Sequence, residues 1–224
     1  MPVLTVVAVL LASCGAFEES EPLPTATPAN ANVVRNGGFE AGPEGWEPDA
    51  ALATVDVAQA RVRAGERSLR LSLGEAPDVA VRQALTAPAM PEYISGFFFV
   101  DGWGPDGGQH IELLVRVRGA DFGDGYEVHE LRMPIGGTVT PLPLPTIGYA
   151  FLDRDAPARG RWVYFGYPVT TGFQAEFGRV PAAWDALELV LAVRRDAEGG
   201  SAQVHFDELY AGPLRFNPNR PDAD

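Results

Sequence analysis

Short stretches in which apolar and polar residues alternate are the most constraining feature of this sequence. In residues 111–117 (IELLVRV) and 187–193 (LELVLAV), every second position carries a large aliphatic side chain. This period of two is that of a β-strand. Residues 93–100 and 162–169 add aromatic and β-branched stretches, and the chain holds 25 glycines and 20 prolines that favour turns between them. The pattern predicts an all-β chain of about eight to ten strands, arranged as a two-sheet antiparallel sandwich.

One segment also permits a helix. In residues 181–195, the side chains of Trp184, Leu187 and Leu191 are spaced as they would be on one helical face. A period of two matches more positions of the same segment. We therefore expect one helical turn at Ala182–Asp185, followed by a strand.

The N-terminus is a short apolar run that ends at the only cysteine of the chain. Residues 3–11 are too few to span a membrane as a helix but suit a secretory signal. The sequence Leu-Ala-Ser-Cys at residues 11–14 resembles the lipobox of bacterial lipoproteins, although no Lys or Arg precedes it. The resemblance implies cleavage before Cys14, lipid on its thiol and amine, and an extracytoplasmic location at the cell membrane or outer membrane. The alternative is a buried free cysteine in an apolar N-terminal strand.

The chain is accordingly divided into four segments. We assign residues 1–13 to a signal peptide, 14–32 to the lipidated cysteine and a Pro- and Glu-rich linker, 33–213 to one folded domain, and 214–224 to a C-terminal tail. The linker has no apolar periodicity, so we expect it to be disordered and to extend roughly 40 Å from the membrane.

Composition excludes several classes of function. With 30 acidic residues and a formal net charge of −13, the chain repels phosphate backbones, and no nucleic-acid partner is expected. A single cysteine excludes an intramolecular disulfide and a cysteine-based zinc cluster. Glycines 102, 104 and 107 have the spacing of a dinucleotide fingerprint, but a strand follows them directly and offers no helix N-terminus for a pyrophosphate.

Candidate catalytic groups are few. The sequence has no nucleophile elbow, no zinc-protease motif and no Walker motif. The three histidines, His110, His129 and His205, occur singly in strand patterns, so we expect them on the strand surface rather than as ligands. The acidic pair Asp121 and Asp124 lies in a glycine-containing stretch that indicates a turn. We therefore expect no enzymatic activity.

Three motifs resemble those of carbohydrate-binding modules of the cellulose- and xylan-binding kind. Residues 36–40 (NGGFE), followed by Gly45-Trp46, are similar to the opening strand of that family. Residues 64–71 (AGERSLRL) are similar to its Gly-x-x-Ser-Leu-Arg strand, and residues 204–210 (VHFDELY) to its closing strand. The similarity spans the folded domain, although residues 120–158 are longer than the family usually has. It implies a galactose-binding-like jelly roll that binds polysaccharide.

The same resemblance implies a structural calcium ion. Glu40 and Asp207 stand at the positions of the family's metal-binding carboxylates, and the backbone carbonyls of Gly38 and Arg67 would complete the ligand set. The closing strand is also expected to bulge near residues 207–208, because its apolar positions change parity there. The alternative is that the two acids are exposed strand residues, or that they pair with Arg67 or Arg70.

Aromatic residues are the other candidate ligands for a sugar, because they stack on its C–H faces. Trp103 lies in a glycine-rich loop between Asp101 and Asp106, and these three residues are the predicted carbohydrate-binding set. Two roles for Trp103 stay open, namely ligand contact and a plug that covers the loop. The other tryptophans, Trp46, Trp162 and Trp184, are expected in the core.

The sequence therefore predicts a non-catalytic surface lipoprotein that is tethered to a membrane and binds polysaccharide or another glycan. The alternative is a lipoprotein that uses the same sandwich to dock a protein partner. The prolines of the run Pro-Leu-Pro-Leu-Pro at residues 141–145 place it on an edge or surface, and two roles for its leucines stay open, namely packing back on the sandwich and forming a ridge that docks a partner.

Overall fold

The structure is a computed structural model, and it describes residues 32–49, 56–74, 76–104, 108–136, 144–195 and 200–214. Cys14, the predicted signal peptide and nearly all of the linker lie outside these residues. So do Asp106, residues 141–143 of the proline-rich run and most of the C-terminal tail. No helix in the described part of the chain has the length and apolar character needed to cross a membrane.

The described residues form eleven strands and one helix. The strands are β1 (Glu47–Pro48), β2 (Asp56–Ala58), β3 (Ser68–Leu73), β4 (Asp78–Ala84), β5 (Tyr93–Trp103), β6 (Gln109–Arg118), β7 (Val128–Ile135), β8 (Ile147–Tyr149), β9 (Trp162–Pro168), β10 (Ala186–Arg195) and β11 (Ala202–Gly212). One sheet has the order β1-β4-β10-β6-β7-β8 and the other β2-β3-β11-β5-β9. All pairs are antiparallel except β7 with β8. The predicted all-β, two-sheet sandwich is confirmed.

The core lies between the inward faces of the two sheets. The alternating residues 111–117 of β6 and 187–193 of β10 are paired in register, so their aliphatic side chains form one layer. Leu69 and Leu71 of β3 and Phe206 of β11 contribute to the facing layer, and all three are fully buried. The period of two thus identified the buried positions, because only one face of each strand can contact the opposite sheet.

The opening motif does not form a strand, and that prediction is wrong. Residues 35–45 form a series of turns, in which Asn36 and Phe39 have positive φ angles of 51° and 58°. These turns bury Phe39 against Trp46, with ring centroids 5.4 Å apart. Because Asn and Gly tolerate left-handed backbone, this segment can fold into turns instead of pairing as a strand.

The helix lies where none was predicted. Residues 182–185 are not helical, whereas α1 (Val169–Phe177) continues directly from β9. Val169 and Phe173, four residues apart, are fully buried on one face of α1. The helix ends at Gly178, whose N–H donates to the carbonyl of Gln174 at 3.1 Å. The helix has only nine residues. Its helical spacing of apolar residues is therefore too short to be recognised in the sequence.

The bulge predicted in the closing strand is present. The register between β11 and β5 shifts between Asp207 and Tyr210, and Glu208 has a φ of 51°. One extra residue reverses the parity, so that both Phe206 and Leu209 point into the core.

The prediction that the three histidines lie on the strand surface is wrong, because His110, His129 and His205 are all at most 3% exposed.

The prediction that three tryptophans lie in the core is right for one of them. Trp46 is buried as expected, whereas Trp162 and Trp184 are only half-buried.

Candidate functional site

The outward face of the six-stranded sheet carries an extended network of charged side chains, which we name the polar face. Charged residues occupy alternate positions of β4, β6, β7 and β10, and the strand register places opposite charges side by side. Its members are Asp49, Asp78, Arg82, Glu112, Arg116, Arg118, Glu130, Arg132, Glu188 and Arg194. This network was not predicted, because alternating charges in one strand are ordinary and only the register brings them together.

Arg116 is the centre of one half of the polar face. Its guanidinium lies 3.0 Å from a carboxylate oxygen of Asp49, 2.8 Å from Glu130 and 3.2 Å from Glu188. Arg82 contacts Glu188 from the other side at 3.4 Å. The side chain of Arg116 is only 12% exposed, so these partners hold it in one orientation.

Glu112 is the centre of the other half. Its side chain is 2% exposed, and its carboxylate lies 3.0 Å from Arg194, 3.6 Å from Arg132 and 3.8 Å from His110. Arg132 also donates to Glu130, which joins the two halves. The network is therefore continuous across the central strands of the sheet.

These contacts keep three members of the network, Glu112, Glu130 and Arg116, ionised. Burial alone would raise the pKa of Glu112, but its 3.8 Å contact with His110 and the charges of Arg194 and Arg132 lower it below the usual value. For Glu130, burial is likewise outweighed by Arg132 and Arg116, and its pKa is lowered. Burial would lower the pKa of Arg116, but its carboxylate partners raise it. The charges therefore persist throughout the neutral range.

Small apolar side chains form a floor between these charges. Ala80, Leu114, Val190 and Ala192 are buried on the outward side of the sheet and form a cluster separate from the main core. Tyr149 lies beside Arg132 at the end of the sheet and stacks on Phe151, with ring centroids 6.2 Å apart. Arg154 lies 3.7 Å above the Phe151 ring. The polar face thus combines fixed donors and acceptors with an apolar floor and an aromatic edge.

Of the predicted carbohydrate-binding set, Asp101 and Trp103 lie elsewhere, at the end of β5 in the other sheet. Trp103 is half-buried and packs against the core. Asp101 is exposed and accepts hydrogen bonds from the guanidinium of Arg61 at 3.0 and 3.1 Å. Asp106 lies outside the described residues.

Three of the four predicted calcium ligands come together in one concavity, whereas Arg67 is not among its lining residues. The concavity is lined by Gly38, Glu40 and Asp207, together with Gly65 and Glu208. The carboxylates of Glu40 and Asp207 both accept hydrogen bonds from the loop of residues 59–67 between β2 and β3, which we name the strap. Glu208, which the sequence did not single out, enters the same concavity because of the bulge.

The contacts of each carboxylate differ. Asp207 is fully buried, and its Oδ2 accepts the N–H groups of Arg63 at 2.8 Å and Ala64 at 3.2 Å. Glu40 is exposed, and its Oε1 accepts the N–H groups of Glu66 at 2.9 Å and Arg67 at 3.1 Å. The Arg67 guanidinium also donates to the backbone carbonyl of Glu40.

Burial raises the pKa of Asp207 to about 6; three backbone hydrogen bonds oppose the rise, and the charge of Glu40 adds to it. The pKa of Glu208 is also raised, chiefly by burial. Negative charge in this concavity is therefore costly without a cation, and hard carboxylate oxygens are the ligands that calcium takes. The concavity therefore contains oxygen donors of the kind a cation takes, although no group of three His, Cys, Asp or Glu side chains in the described ranges has the arrangement of a metal site.

Comparison with known proteins gives the following similarities. No protein-family model and no curated protein match the chain. The C-terminal family 22 carbohydrate-binding module of Clostridium thermocellum Xyn10B is 14% identical, with a TM-score of 0.49 over 85% of this chain and 99% of that one. The CBM22-2 xylan-binding domain of Paenibacillus barcinonensis Xyn10C is 11% identical, with a TM-score of 0.48 over 80% and 98%. TmCBM61, solved with beta-1,4-galactotriose, is 14% identical, with a TM-score of 0.45 over 82% and 99%. All three are carbohydrate-binding modules, the class that the sequence motifs resemble.

Proposed function

We propose that this protein is a non-catalytic module that binds polysaccharide, and that the polar face is its contact surface. The observation that carries the proposal is a network of ion pairs on one face of the sheet, whose outer members Arg82, Arg118 and Arg194 are partly exposed, beside the half-buried ring of Tyr149. A polysaccharide presents many hydroxyls and apolar C–H faces, so it needs fixed donors and acceptors beside apolar surface. Because the side chains are already held by one another, little conformational entropy is lost on binding.

Two features of the polar face support a non-catalytic role. Hydrolysis of a glycosidic bond commonly needs one carboxyl group that stays protonated near neutral pH. The pKa values of Glu112 and Glu130 are shifted in the opposite direction, and both carboxylates are held by arginines. Such groups are suited to accept hydrogen bonds from hydroxyls rather than to donate a proton.

Retention on insoluble polysaccharides tests the proposal. Purified protein is incubated with a panel of them, including xylan, galactan and cellulose. Tyr149→Ala is expected to lose about tenfold or more in affinity, the effect of removing an aromatic anchor. Tyr126→Ala is the matched control, because Tyr126 is 51% exposed in the loop before β7 and is not a member of the polar face.

Trp103→Ala tests whether polysaccharide binds at the end of β5, where the sequence placed the binding residues, instead of at the polar face. If Trp103→Ala loses affinity at an unchanged melting temperature while Tyr149→Ala does not, the contact surface is at the end of β5. Retention of the wild type on none of the polysaccharides would contradict glycan binding itself.

A lipoprotein that docks a protein partner is the second candidate. It is favoured by Leu144, which is 50% exposed and belongs to the proline-rich run at residues 141–145. A single exposed leucine is ordinary on a protein surface, so the support for this candidate is the place of Leu144 in a run of alternating leucines and prolines. Leu144→Ser is expected to reduce capture of such a partner and to leave retention on polysaccharide unchanged.

We propose further that Glu40 and Asp207, with the carbonyls of Gly38 and Arg67, hold a structural calcium ion. An ion that binds only the folded state stabilises it by mass action. A chelator is therefore expected to lower the melting temperature, calcium to restore it, and Asp207→Ala to abolish the response. A melting curve that ignores both chelator and calcium would contradict the ion.

We also propose that the mature protein begins at Cys14 and is held at the bacterial envelope by lipid. The support is the lipobox-like sequence at residues 11–14, which lies outside the described residues. Stable anchoring needs more than one lipid chain. Metabolic labelling with a palmitate analogue is expected to mark the wild type, and equal labelling of Cys14→Ser would contradict the anchor.

A further inference from the structure

The outward face of the five-stranded sheet is aromatic where a solvated face would be polar. Phe97 and Phe99 of β5 lie opposite Tyr164 and Trp162 of β9 in the strand register. The ring centroids of Phe97 and Tyr164 are 5.4 Å apart, and those of Phe99 and Trp162 are 5.6 Å apart. We name these four side chains the aromatic row. An apolar surface of this kind on a soluble domain needs a cover or a partner.

The strap, residues 59–67, provides the cover. The guanidinium of Arg61 lies 5.3 Å from the ring centroid of Phe99, and that of Arg63 lies 4.8 Å from the centroid of Phe97. Both phenylalanines are consequently at most 9% exposed. Stacking of a guanidinium on a ring is favourable, and the aliphatic stem of an arginine also covers apolar surface. The two arginines thus act as the lid of the row.

Hydrogen bonds, ion pairs and the two stacked arginines fasten the strap to the sandwich. Asp207 and Glu40 together accept four of its backbone N–H groups, and the carbonyl of Val62 accepts the indole N–H of Trp162 at 3.2 Å. None of residues 59–67 is itself buried. The hydrogen bonds to Glu40 are exposed, whereas those to Asp207 are partly buried. A segment with exposed hydrogen bonds at one end and no buried side chain of its own has a lower free energy of local opening than the strands beneath it.

We propose that the strap is a movable cover, which lifts from the sheet while the sandwich stays folded and thereby exposes the aromatic row. Glu40 and Asp207 control this motion, because they hold the backbone of the strap. The row lies on the opposite sheet from the polar face, so lifting the strap leaves the polar face intact. The proposal goes beyond polysaccharide binding and is independent of it, since it concerns a second surface and how that surface becomes accessible.

Limited proteolysis with trypsin tests the cover directly. The chain contains no lysine, so trypsin cleaves it only after arginines, of which the strap carries Arg61, Arg63 and Arg67. In Glu40→Ala, two backbone N–H groups of the strap lose their acceptor. With a chelator present in every sample, we expect cleavage after Arg61 and Arg63 to become about tenfold faster while the melting temperature falls by no more than about 4 °C, because cleavage follows the population of the open form. Glu44→Ala is the matched control, since Glu44 is another exposed acid of the same turn segment.

Tryptophan fluorescence is the second readout. Lifting the strap removes the hydrogen bond between Trp162 and Val62 and brings the indole into water, so the emission of Glu40→Ala is expected to shift to the red. Adding Trp162→Phe to Glu40→Ala assigns the shift, because it must then disappear. Two results would overturn the proposal: an unchanged cleavage rate and emission in Glu40→Ala, or cleavage at strap and sandwich sites together, since the strap would then open only with the whole fold.

Discussion

At the scale of single residues, Gly65 shows how closely the strap is fitted to the sandwich. Its φ angle is 72°, and a Cβ atom placed on it would collide with the carboxylate of Glu40. Glycine is therefore needed there for two separate reasons, a left-handed backbone and close approach of a side chain. The glycine was part of the motif that the sequence showed, but its partner was not visible, because Glu40 is distant in sequence.

Gly65→Ala is expected to lower the free energy of unfolding by about 2 kcal/mol, the sum of a strained backbone and a displaced Glu40. Gly160→Ala is the control, because Gly160 has a φ of 71° but nothing within 4 Å of an added Cβ. It should cost only about 1 kcal/mol, for the backbone alone. Urea unfolding measures both. Equal losses of unfolding free energy in the two variants would show that the close approach of Glu40 does not add to the cost of Gly65→Ala.

Two buried ionisable residues of β11 respond to pH in opposite directions. Burial lowers the pKa of His205 to about 4, so the unfolded chain binds the extra proton first, and its contribution to stability is lost as pH falls from about 6.5 to about 4. His205 has a partner for the neutral state, since its Nδ1 lies 3.1 Å from the hydroxyl of Ser68, which itself donates to the carbonyl of Arg61. The raised pKa of Asp207 acts in reverse, because its contribution is present below about pH 3.8 and is lost as pH rises through about 6.

The two slopes are therefore expected to oppose each other between about pH 4 and pH 6. With a chelator present, His205→Asn should make stability fall more with rising pH than in the wild type, and Asp207→Asn should make it rise more. Each change is at most about 1.4 kcal/mol per pH unit, the limit for one proton. Urea unfolding at several pH values gives the slopes. A slope in His205→Asn that matches the wild type would show that this histidine is not kept neutral by burial.

At the scale of secondary-structure elements, prediction succeeded for the strands whose sequence pattern shows which of their faces is buried. The strands of residues 111–117 and 187–193 were predicted because a buried face demands apolar side chains at every second position. The bulge near Asp207 was predicted for the same reason, since a change of parity requires an extra residue. α1 was missed because its apolar positions, Val169 and Phe173, continue a strand pattern without a break, and only contacts with other elements decide the conformation.

α1 is expected to be part of the core rather than an addition to it. Phe173 is fully buried and lies 6.1 Å from Phe122 and 5.5 Å from Phe177, measured between ring centroids. Phe173→Ala should lower the free energy of unfolding by about 3–5 kcal/mol, because it leaves a cavity among these rings. Thr171→Ala, at an exposed position of the same helix, should change it by about 0.5 kcal/mol or less. If Phe173→Ala lowers the free energy of unfolding only slightly, α1 does not unfold cooperatively with the sandwich.

At the scale of the whole molecule, the concavity at Glu40 and Asp207 was predictable and the polar face was not. The two carboxylates belong to motifs at opposite ends of the domain, and the fold brings them to one side of the five-stranded sheet. In contrast, Glu112 and Arg132 have no marker in the sequence, because charged residues at outward positions are typical of any solvated strand. They become a candidate site only through the pairing of β6 with β7 and β10.

The polar face is close to neutral although the chain is strongly negative, and this difference bears on whether the proposed polysaccharide ligand is neutral or charged. The chain carries a formal net charge of −13, whereas the polar face has five arginines and five carboxylates that neutralise one another, with Glu47 as a sixth carboxylate on Arg82 at its edge. A neutral polysaccharide can add hydrogen bonds to such a face without breaking its ion pairs. A polymer of uronic acids would have to displace a carboxylate from an arginine, and the remaining charge of the protein would repel it.

Binding of a neutral polysaccharide is therefore expected to be nearly insensitive to salt. Raising NaCl from about 0.05 M to about 0.5 M shortens the screening length about threefold, which weakens attraction between exposed charges but leaves buried pairs and hydroxyl hydrogen bonds largely unchanged. Affinity gel electrophoresis with soluble xylan should show less than about a twofold change in affinity over this range. With polygalacturonate in place of xylan, binding should be weaker at low salt and should improve as salt is added. A loss of xylan affinity of tenfold or more at high salt would instead mean that unpaired charges, and not the balanced polar face, make the contact.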